Sequence, residues 1–155
     1  MDQAAVFHRI YEMYGAALYR FCLLQMKTAA DAEDVMQEVF LKRLYQAPEF
    51  ASAEHERRWL FRVARNQCRD EWKRRHRTEV PLEEAVLVAM PPEERDLLEQ
   101  VAALPEKLRT VIHLHYYEGY AQDEIAALLG ISLSAVKMRM KRGRDALRNR
   151  LEGLE

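Results

Sequence analysis

Residues 122–144 read Gln122-Asp123-Glu124-Ile125-Ala126-Ala127-Leu128-Leu129-Gly130-Ile131-Ser132-Leu133-Ser134-Ala135-Val136-Lys137-Met138-Arg139-Met140-Lys141-Arg142-Gly143-Arg144. Ile125 and Leu128/Leu129 recur at helical spacing, and Gly130 stops the pattern. Ile131 then plugs a turn, and Ser132 or Ser134 stands where the N-cap of another helix belongs. Val136, Met140, Gly143, Leu147 and Leu151 continue in a second helical register. Helix, tight glycine turn and helix make a helix-turn-helix, whose second helix brings its N-terminal residues to base edges in a DNA major groove. Ser134, Lys137, Met138, Lys141 and Arg142 are the residues placed to face that groove. Lys137, Lys141, Arg144 and Arg148 fall four, three and four residues apart, on one face of the same helix.

Charge carries the same message once it is divided along the chain. The 155 residues hold 24 Lys+Arg against 25 Asp+Glu, a net charge of −1 that taken alone argues against a nucleic-acid partner. Residues 57–77, however, sum to +7 and residues 137–150 to +6, while acids gather in 28–56 and 79–106. Block charge speaks to partners more directly than the total. Within the first basic block, Arg58, Arg62, Arg65, Arg69 and Lys73 are spaced four, three, four and four apart, which predicts one basic face beside an apolar stripe. A row of cations at helical pitch suits a phosphate backbone, because each contact releases condensed counterions. A solvated charged face is the alternative, but such faces usually mix signs and these two barely do.

The remaining pattern is helical throughout. Five Gly and five Pro, with 49% apolar and 32% charged residues, predict an all-α globular protein. Phe7, Ile10/Tyr11, Tyr14, Ala17/Leu18, Phe21 and Leu24 mark a first amphipathic helix. Thr28 is placed to cap a second, with stripe Ala32, Val35/Met36, Val39/Phe40 and Leu44, which Pro48 ends. Ser52 is placed to cap a third, with stripe Leu60, Val63/Ala64, Gln67/Cys68 and Trp72. Pro81, Pro91 and Pro92, among Glu83, Glu84, Glu93 and Glu94, interrupt the pattern and read as an acidic linker with at most a turn of helix around Leu82–Met90. The expected organisation is therefore two small helical domains, 1–77 and 96–155, joined by a linker at 78–95.

Other function classes find little support. No run of 18 apolar residues spans a membrane, and no signal peptide is visible after Met1. Cys22 and Cys68 sit at apolar helical positions and read as core thiols in a reducing cytosol, so a cytoplasmic protein is expected. His113 and His115 are two apart on a helix and point apart, and His8, His55 and His76 are scattered, so no metal site is expected. No nucleophile has an obvious base and no glycine loop cradles phosphate. Neither enzyme activity, nor a cofactor, nor a small-molecule substrate is expected.

The ordered motifs resemble bacterial RNA polymerase sigma factors of the sigma-70 family. Asp31-Ala32-Glu33-Asp34-Val35-Met36-Gln37-Glu38-Val39-Phe40 resembles region 2.2, and Trp59-Leu60-Phe61-Arg62-Val63-Ala64-Arg65-Asn66 resembles regions 2.3–2.4. Leu104-Pro105-Glu106-Lys107-Leu108-Arg109 resembles the start of region 4. Asp123-Glu124-Ile125-Ala126 through Ala135-Val136-Lys137, with Arg139, resembles region 4.2. With region 2 at the start and no room for regions 1.1 or 3, the layout is similar to the extracytoplasmic-function (ECF) class.

The resemblance implies roles residue by residue. The region 2.2 helix would meet the clamp helices of the polymerase β′ subunit through Asp34, Gln37 and Glu38, with Phe40 or Leu41 packing nearby; carboxylates there suit a basic partner helix. Residues 47–56 and the third helix would open and hold the −10 element. Trp59 and Asn66, seven apart on one face, would take a flipped base, while Arg58, Arg62, Arg65, Arg69 and Lys73 hold the strand. Trp59 serves equally well as core, and Trp72 is assigned to the core. The recognition helix would read the −35 element through Ser134, Lys137, Met138, Lys141, Arg142 and Arg144. Two positions depart from the family pattern: Met138 replaces the usual Ser, and Ala121 replaces the usual Ser or Thr cap. Tyr116, Tyr117 and Tyr120 are expected either to meet the β flap or to pack the small core. The linker, about 60 Å when extended, spans the distance between the promoter elements at about 3.4 Å per base pair. An anti-sigma partner is a further expectation, since the class is often held inactive by one. The alternatives are a helix-turn-helix regulator that dimerises without polymerase, which has no need of the basic third helix with Trp59 and Asn66, and a sigma-like polymerase-binding regulator.

Overall fold

A computed structural model describes residues 2–75 and 80–153, and these are all-α with no strand among them. The chain divides into two compact units, residues 1–78 and 79–155. Residues 78 and 79, where the expected linker begins, lie outside the described residues.

In the first unit, α1 spans Gln3–Met26, α2 Ala29–Tyr45 and α3 Ala53–Arg74. Each begins at a side-chain oxygen that satisfies an otherwise orphaned amide. Asp2 accepts from the Ala5 N–H at 2.8 Å, Thr28 from the Asp31 N–H at 3.2 Å, and Ser52 from the His55 N–H at 3.0 Å. The three helices pack on one another around Ile10, Leu18, Phe21, Val39, Leu60 and Phe61, all at most 1% exposed. The Phe21 and Phe61 rings meet edge to face at 5.6 Å. Cys22 and Cys68 are both buried in this core, as expected. Trp72 is half-buried, and its indole N–H donates to the Gln25 carbonyl at 3.0 Å, which ties the end of α3 to the end of α1.

Two residues of the α1 stripe are not core. Phe7 is 42% and Tyr11 56% exposed. Periodicity marks which face of a helix is apolar, not whether a neighbour covers it along its whole length. Here the first turns of α1 border an open groove against α2.

In the second unit, α4 spans Glu84–Val88, α5 Pro92–Ala102, α6 Glu106–Ile112, α7 Gln122–Leu129 and α8 Leu133–Glu152. A helix at 84–88 matches the turn expected near Leu82–Met90, but α5 starts before the expected boundary at residue 96. Pro92 occupies the first helical position, with Glu93 and Glu94 in the first turn. Fixed φ and favourable dipole charge start a helix there, so the Pro and Glu that suggest a linker are N-terminal helix signals instead. Leu82 is buried as well.

α6 passes into a π-turn at His113–Tyr117. His113 and Leu114 are fully buried, and the His113 Nε2 lies 3.3 Å from the buried Glu118 carboxylate. Arg109, 1% exposed, donates from Nη1 to the carbonyls of Leu104 at 2.9 Å and Ala102 at 3.3 Å. A cation at those carbonyls satisfies acceptors that the end of α5 leaves open.

The turn between α7 and α8 follows the sequence reading. Gly130 has φ of +68°, its N–H and that of Ile131 both reach the Ala126 carbonyl, and Ser132 accepts from the Ala135 N–H at 3.1 Å. Ser132, not Ser134, is therefore the cap. Ala121 offers no side-chain acceptor at the start of α7, but Glu124 reaches back to the Ala121 N–H at 3.0 Å. Half of a capping box is thus kept.

Gly143 lets α8 lie close on α6: a Cβ there would stand 2.7 Å from Cγ1 and 3.0 Å from Cδ1 of the buried Ile112. Gly143→Val should lower the thermal unfolding midpoint of the second unit, with an overpacking cost of about 1–3 kcal/mol. Adding Ile112→Ala should recover part of it, measured as a positive coupling in a double-mutant cycle by calorimetry. Equal, additive losses would contradict the close approach.

Candidate functional site

The exposed face of α2 carries Asp34, Gln37, Glu38 and Leu41 in the open, while Phe40 is 7% exposed. Phe40 packs against the two exposed rings of α1, at 5.2 Å from Phe7 and 6.3 Å from Tyr11. Between the helices runs a groove of about 940 Å³, with Tyr11, Gly15, Met36, Gln37, Phe40 and Leu41 among its walls. Glu12 and Glu33 also border it, so an apolar trough is edged by carboxylates. The structure thus brings the residues expected on α2 together, and adds Phe7, Tyr11 and Gly15 of α1. The sequence pattern puts those rings in the core; three-to-four spacing alone does not separate a core ring from a groove wall.

The start of α3 is held by one carboxylate. Glu56, with its side chain 4% exposed, accepts from Arg9 Nη1 at 2.9 Å and Nη2 at 2.8 Å. It also accepts from Arg43 Nε at 2.9 Å and Nη2 at 2.6 Å. Three helices are therefore joined at a single side chain. The Arg9 hydrogen bonds hold the Glu56 carboxyl down at about 2, against the upward pull of burial, and Arg43 adds to the lowering. The same geometry raises the Arg9 pKa above its ordinary value.

Arg43 also lies over the Phe50 ring, 4.9 Å from its centroid. Phe50 in turn meets the rings of Trp59 at 5.6 Å and His55 at 5.3 Å. The loop 46–52 is thereby pinned to α3 through its one aromatic residue. The sequence pattern does not single out Phe50; an aromatic in a loop of small and polar residues is the signal that could have found it.

Along α3, Arg62, Asn66 and Lys73 are exposed, and Arg58, Trp59 and Arg69 are half-buried. Arg65, expected on the same face, is only 9% exposed. Five basic residues spaced four, three, four and four drift around the helix, and the drift carries Arg65 toward the apolar stripe. At the far end, Arg75 bonds Asp31 at 2.6 Å and Glu71 at 3.1 Å and lies 3.9 Å from Asp34. Arg74 bonds Glu71 at 2.6 Å, which lowers the Glu71 pKa.

On α8, Ser134, Lys137, Met138, Lys141, Arg142, Arg144 and Arg148 are all exposed, while Val136, Met140 and Gly143 are buried. The exposed face and the packing face of α8 separate as the spacing predicts. The three tyrosines of the second unit differ in exposure: Tyr116 is 56% exposed, Tyr117 half-buried and Tyr120 buried.

The family Sigma-70 region 2 matches residues 10–78, and the family Sigma-70, region 4 matches residues 94–147. The chain belongs to the sigma-70 family. Its ECF class is shown by relatives such as the ECF RNA polymerase sigma factor SigL of Mycobacterium tuberculosis, which is 35% identical over 164 residues, covering 98% of this chain and 92% of SigL. The probable RNA polymerase sigma factor RfaY of Xanthomonas campestris is 33% identical over 144 residues; the match covers 81% of this chain and 35% of RfaY. The structure of CnrH in complex with the cytosolic domain of CnrY superposes with a TM-score of 0.73 at 28% identity, over 97% of this chain and 90% of that one. As an ECF sigma factor, the chain is a transcription initiation factor that acts with core RNA polymerase at promoter DNA. No described helix is long and apolar enough to cross a membrane.

The Glu56 clamp has a pH signature. Its carboxyl titrates near 2 in the folded protein, against 4.5 for an ordinary glutamate. The contribution to stability is therefore complete above pH 4.5 and lost as pH falls toward 2. Over that window the clamp loses on the order of 3 kcal/mol. Glu56→Gln should destabilise the first unit strongly at neutral pH and progressively less on acidification, read by chemical denaturation across pH. A penalty that does not change with pH would refute the linkage.

Proposed function

We propose that the sigma factor divides its work among three surfaces built from these residues. The α1–α2 groove and the carboxylates of α2 take a basic helical element of core polymerase, the β′ clamp helices. Phe40 and its neighbouring rings supply an apolar seat, and Asp34, Gln37 and Glu38 supply polar and charged contacts around it. The observation that carries this reading is the open apolar groove with carboxylates at its edge, beside exposed Asp34, Gln37 and Glu38. Charge complementarity of that kind steers association and fixes register.

The exposed side of α3 and the loop 46–52 take the −10 element as a single strand. Trp59 offers a ring for stacking and Asn66 an amide for base edges, while Arg58, Arg62, Arg69 and Lys73 hold phosphates. Arg65, only 9% exposed, is left out of that set. The face of α8 reads the −35 element through Ser134, Lys137, Lys141, Arg142 and Arg144. Met138, 49% exposed, brings an apolar contact there that favours a thymine methyl over a hydrogen-bonded edge. Tyr116 is the exposed ring available to the β flap. An anti-sigma partner competes for these surfaces; CnrH, the relative above, is solved with the cytosolic domain of CnrY.

Asp34→Arg combined with Gln37→Ala should weaken core binding by roughly 2 kcal/mol or more, as a reversed charge at the rim repels the basic partner. The fold should be unchanged by circular dichroism. Wild-type affinity of that variant for core polymerase would end the clamp reading. Asn66→Ala should slow open-complex formation more than it weakens closed-complex binding, measured by permanganate footprinting beside a mobility assay. Equal losses in both would count against base capture on α3.

A further inference from the structure

Methionine is usually a core residue, and most of the described methionines of this chain follow the rule. Met26 and Met140 are fully buried and Met36 is 7% exposed, whereas Met13 is 52% and Met138 49% exposed. On α8 the two kinds stand two residues apart. Met140 packs inward, and Met138 lies on the outer face with Ser134, Lys137, Lys141 and Arg142. An exposed thioether is open to two-electron oxidants, and a buried one is shielded by its packing. The thiols of the chain are shielded as well, Cys22 at 0% and Cys68 at 2% exposure. Of the oxidisable sulfurs on α8, Met138 is therefore the accessible one.

We propose that Met138 is a reversible oxidation site that sets the strength and the base preference of −35 binding. The proposal rests on the reading of α8 as the −35 surface. In the step, the Met138 sulfur gives an electron pair to one oxygen of hydrogen peroxide. The O–O bond breaks, an S–O bond forms, and the other oxygen leaves as water with both protons. An apolar thioether thus becomes a polar sulfoxide at a position that otherwise favours a thymine methyl. The new oxygen is a hydrogen-bond acceptor, and its neighbours on the helix are donors. Lys141 and Arg142, three and four residues on, lean back toward Met138, because helical side chains point to the N-terminus. The chain holds such a pair at the same spacing in α1, where Arg9 Nη1 donates to the Met13 sulfur at 3.6 Å. A thioether is a weak acceptor and a sulfoxide oxygen a stronger one, so oxidation draws the Lys141 and Arg142 donors away from bases and phosphates. One apolar contact is lost and two cationic ones are diverted, and both effects weaken binding.

The test treats the full chain, carrying Met13→Leu, with hydrogen peroxide, removes the peroxide with catalase and then adds untreated core polymerase. Peptide mass spectrometry should find the added oxygen on Met138 well before Met140. Binding is measured to core itself and to duplex promoters that the untreated holoenzyme selects from a library randomised over the −35 element. Oxidation should weaken promoter binding by about tenfold, the size of one lost base contact. Core binding should stay within about twofold, as expected of a distant site. Selection repeated with the oxidised holoenzyme should lose its enrichment in thymine. A methionine sulfoxide reductase should restore the affinity and dithiothreitol should not, which separates sulfoxide from thiol chemistry. Met138→Leu should keep its affinity through the treatment. Met138→Gln, which carries a polar acceptor without sulfur, should bind weakly before any treatment. Equal losses on oxidation with and without Met138→Leu, or promoter binding by the oxidised chain as tight as before, would overturn the proposal. Lys141→Ala separates the two levels. If it weakens promoter binding while oxidation does not, only the redox role is wrong; if neither change is felt, the reading of α8 as the −35 surface falls as well.

Discussion

The first unit depends on a charge placed where charges are costly. Glu56 sits one turn into α3, almost wholly out of solvent, and accepts from Arg9 of α1 and Arg43 of α2. An isolated carboxylate there would be expensive, and two guanidinium groups bonding it offset the cost. The return is geometric. Helix packing fixes the separation of helices but leaves sliding along their axes cheap; a four-point ionic knot does not. The Tyr14 hydroxyl donates to the Ala53 carbonyl at 3.2 Å, adding a second tie at the same level. The start of α3 and the loop before it are therefore set against α1 and α2. The acidic rim on α2 and the basic face of α3 keep their relative positions because of it.

Near neutrality of the whole chain is then easier to understand. The charge blocks are not simply two faces for two partners. Part of the 28–56 and 57–77 blocks is consumed internally: Glu56 on Arg43 and on Arg9 of α1, Arg75 on Asp31 and Glu71, and Arg74 on Glu71. Arg75 is the clearest case. It lies in the most basic stretch of the sequence, yet it holds the C-terminal end of α3 to the first turn of α2. Of the α3 residues proposed to meet DNA, those left fully exposed are a narrower set, Arg62, Asn66 and Lys73. On α8, by contrast, the exposed basic residues lie on a helix whose buried side is wholly apolar or glycine, so nearly the whole block stays outward.

That contrast also explains how much is legible in the sequence. Caps at Thr28, Ser52 and Ser132, the glycine turn at Gly130 and the two faces of α8 depend on interactions within a few residues, and local patterns report them well. The fates of Phe7, Tyr11 and Arg65 depend on which neighbour covers a given helical face, and that is a long-range fact. Ion pairs such as Arg9–Glu56, 47 residues apart, leave no local trace. The start of α5 is hidden for a different reason. Proline and glutamate favour both solvated linkers and the first turn of a helix, so composition alone does not decide between them.

The second unit meets the same demand for fixed geometry with different means. A helix-turn-helix must present α8 at a set angle, and a unit of this size has little apolar core to set it. Close approach at Gly143 does part of the work, since α8 rests directly on Ile112 with no side chain between. Arg109 does another part, bonding the carbonyls where α5 ends and so fixing the corner from which α6 leaves. Both residues are buried, and both bear on α6, one from its own first turns and one from α8 packed against it. α6 is thus the platform on which the recognition helix stands. Changes to its buried side should alter promoter binding by tilting α8, with every base-contacting residue intact.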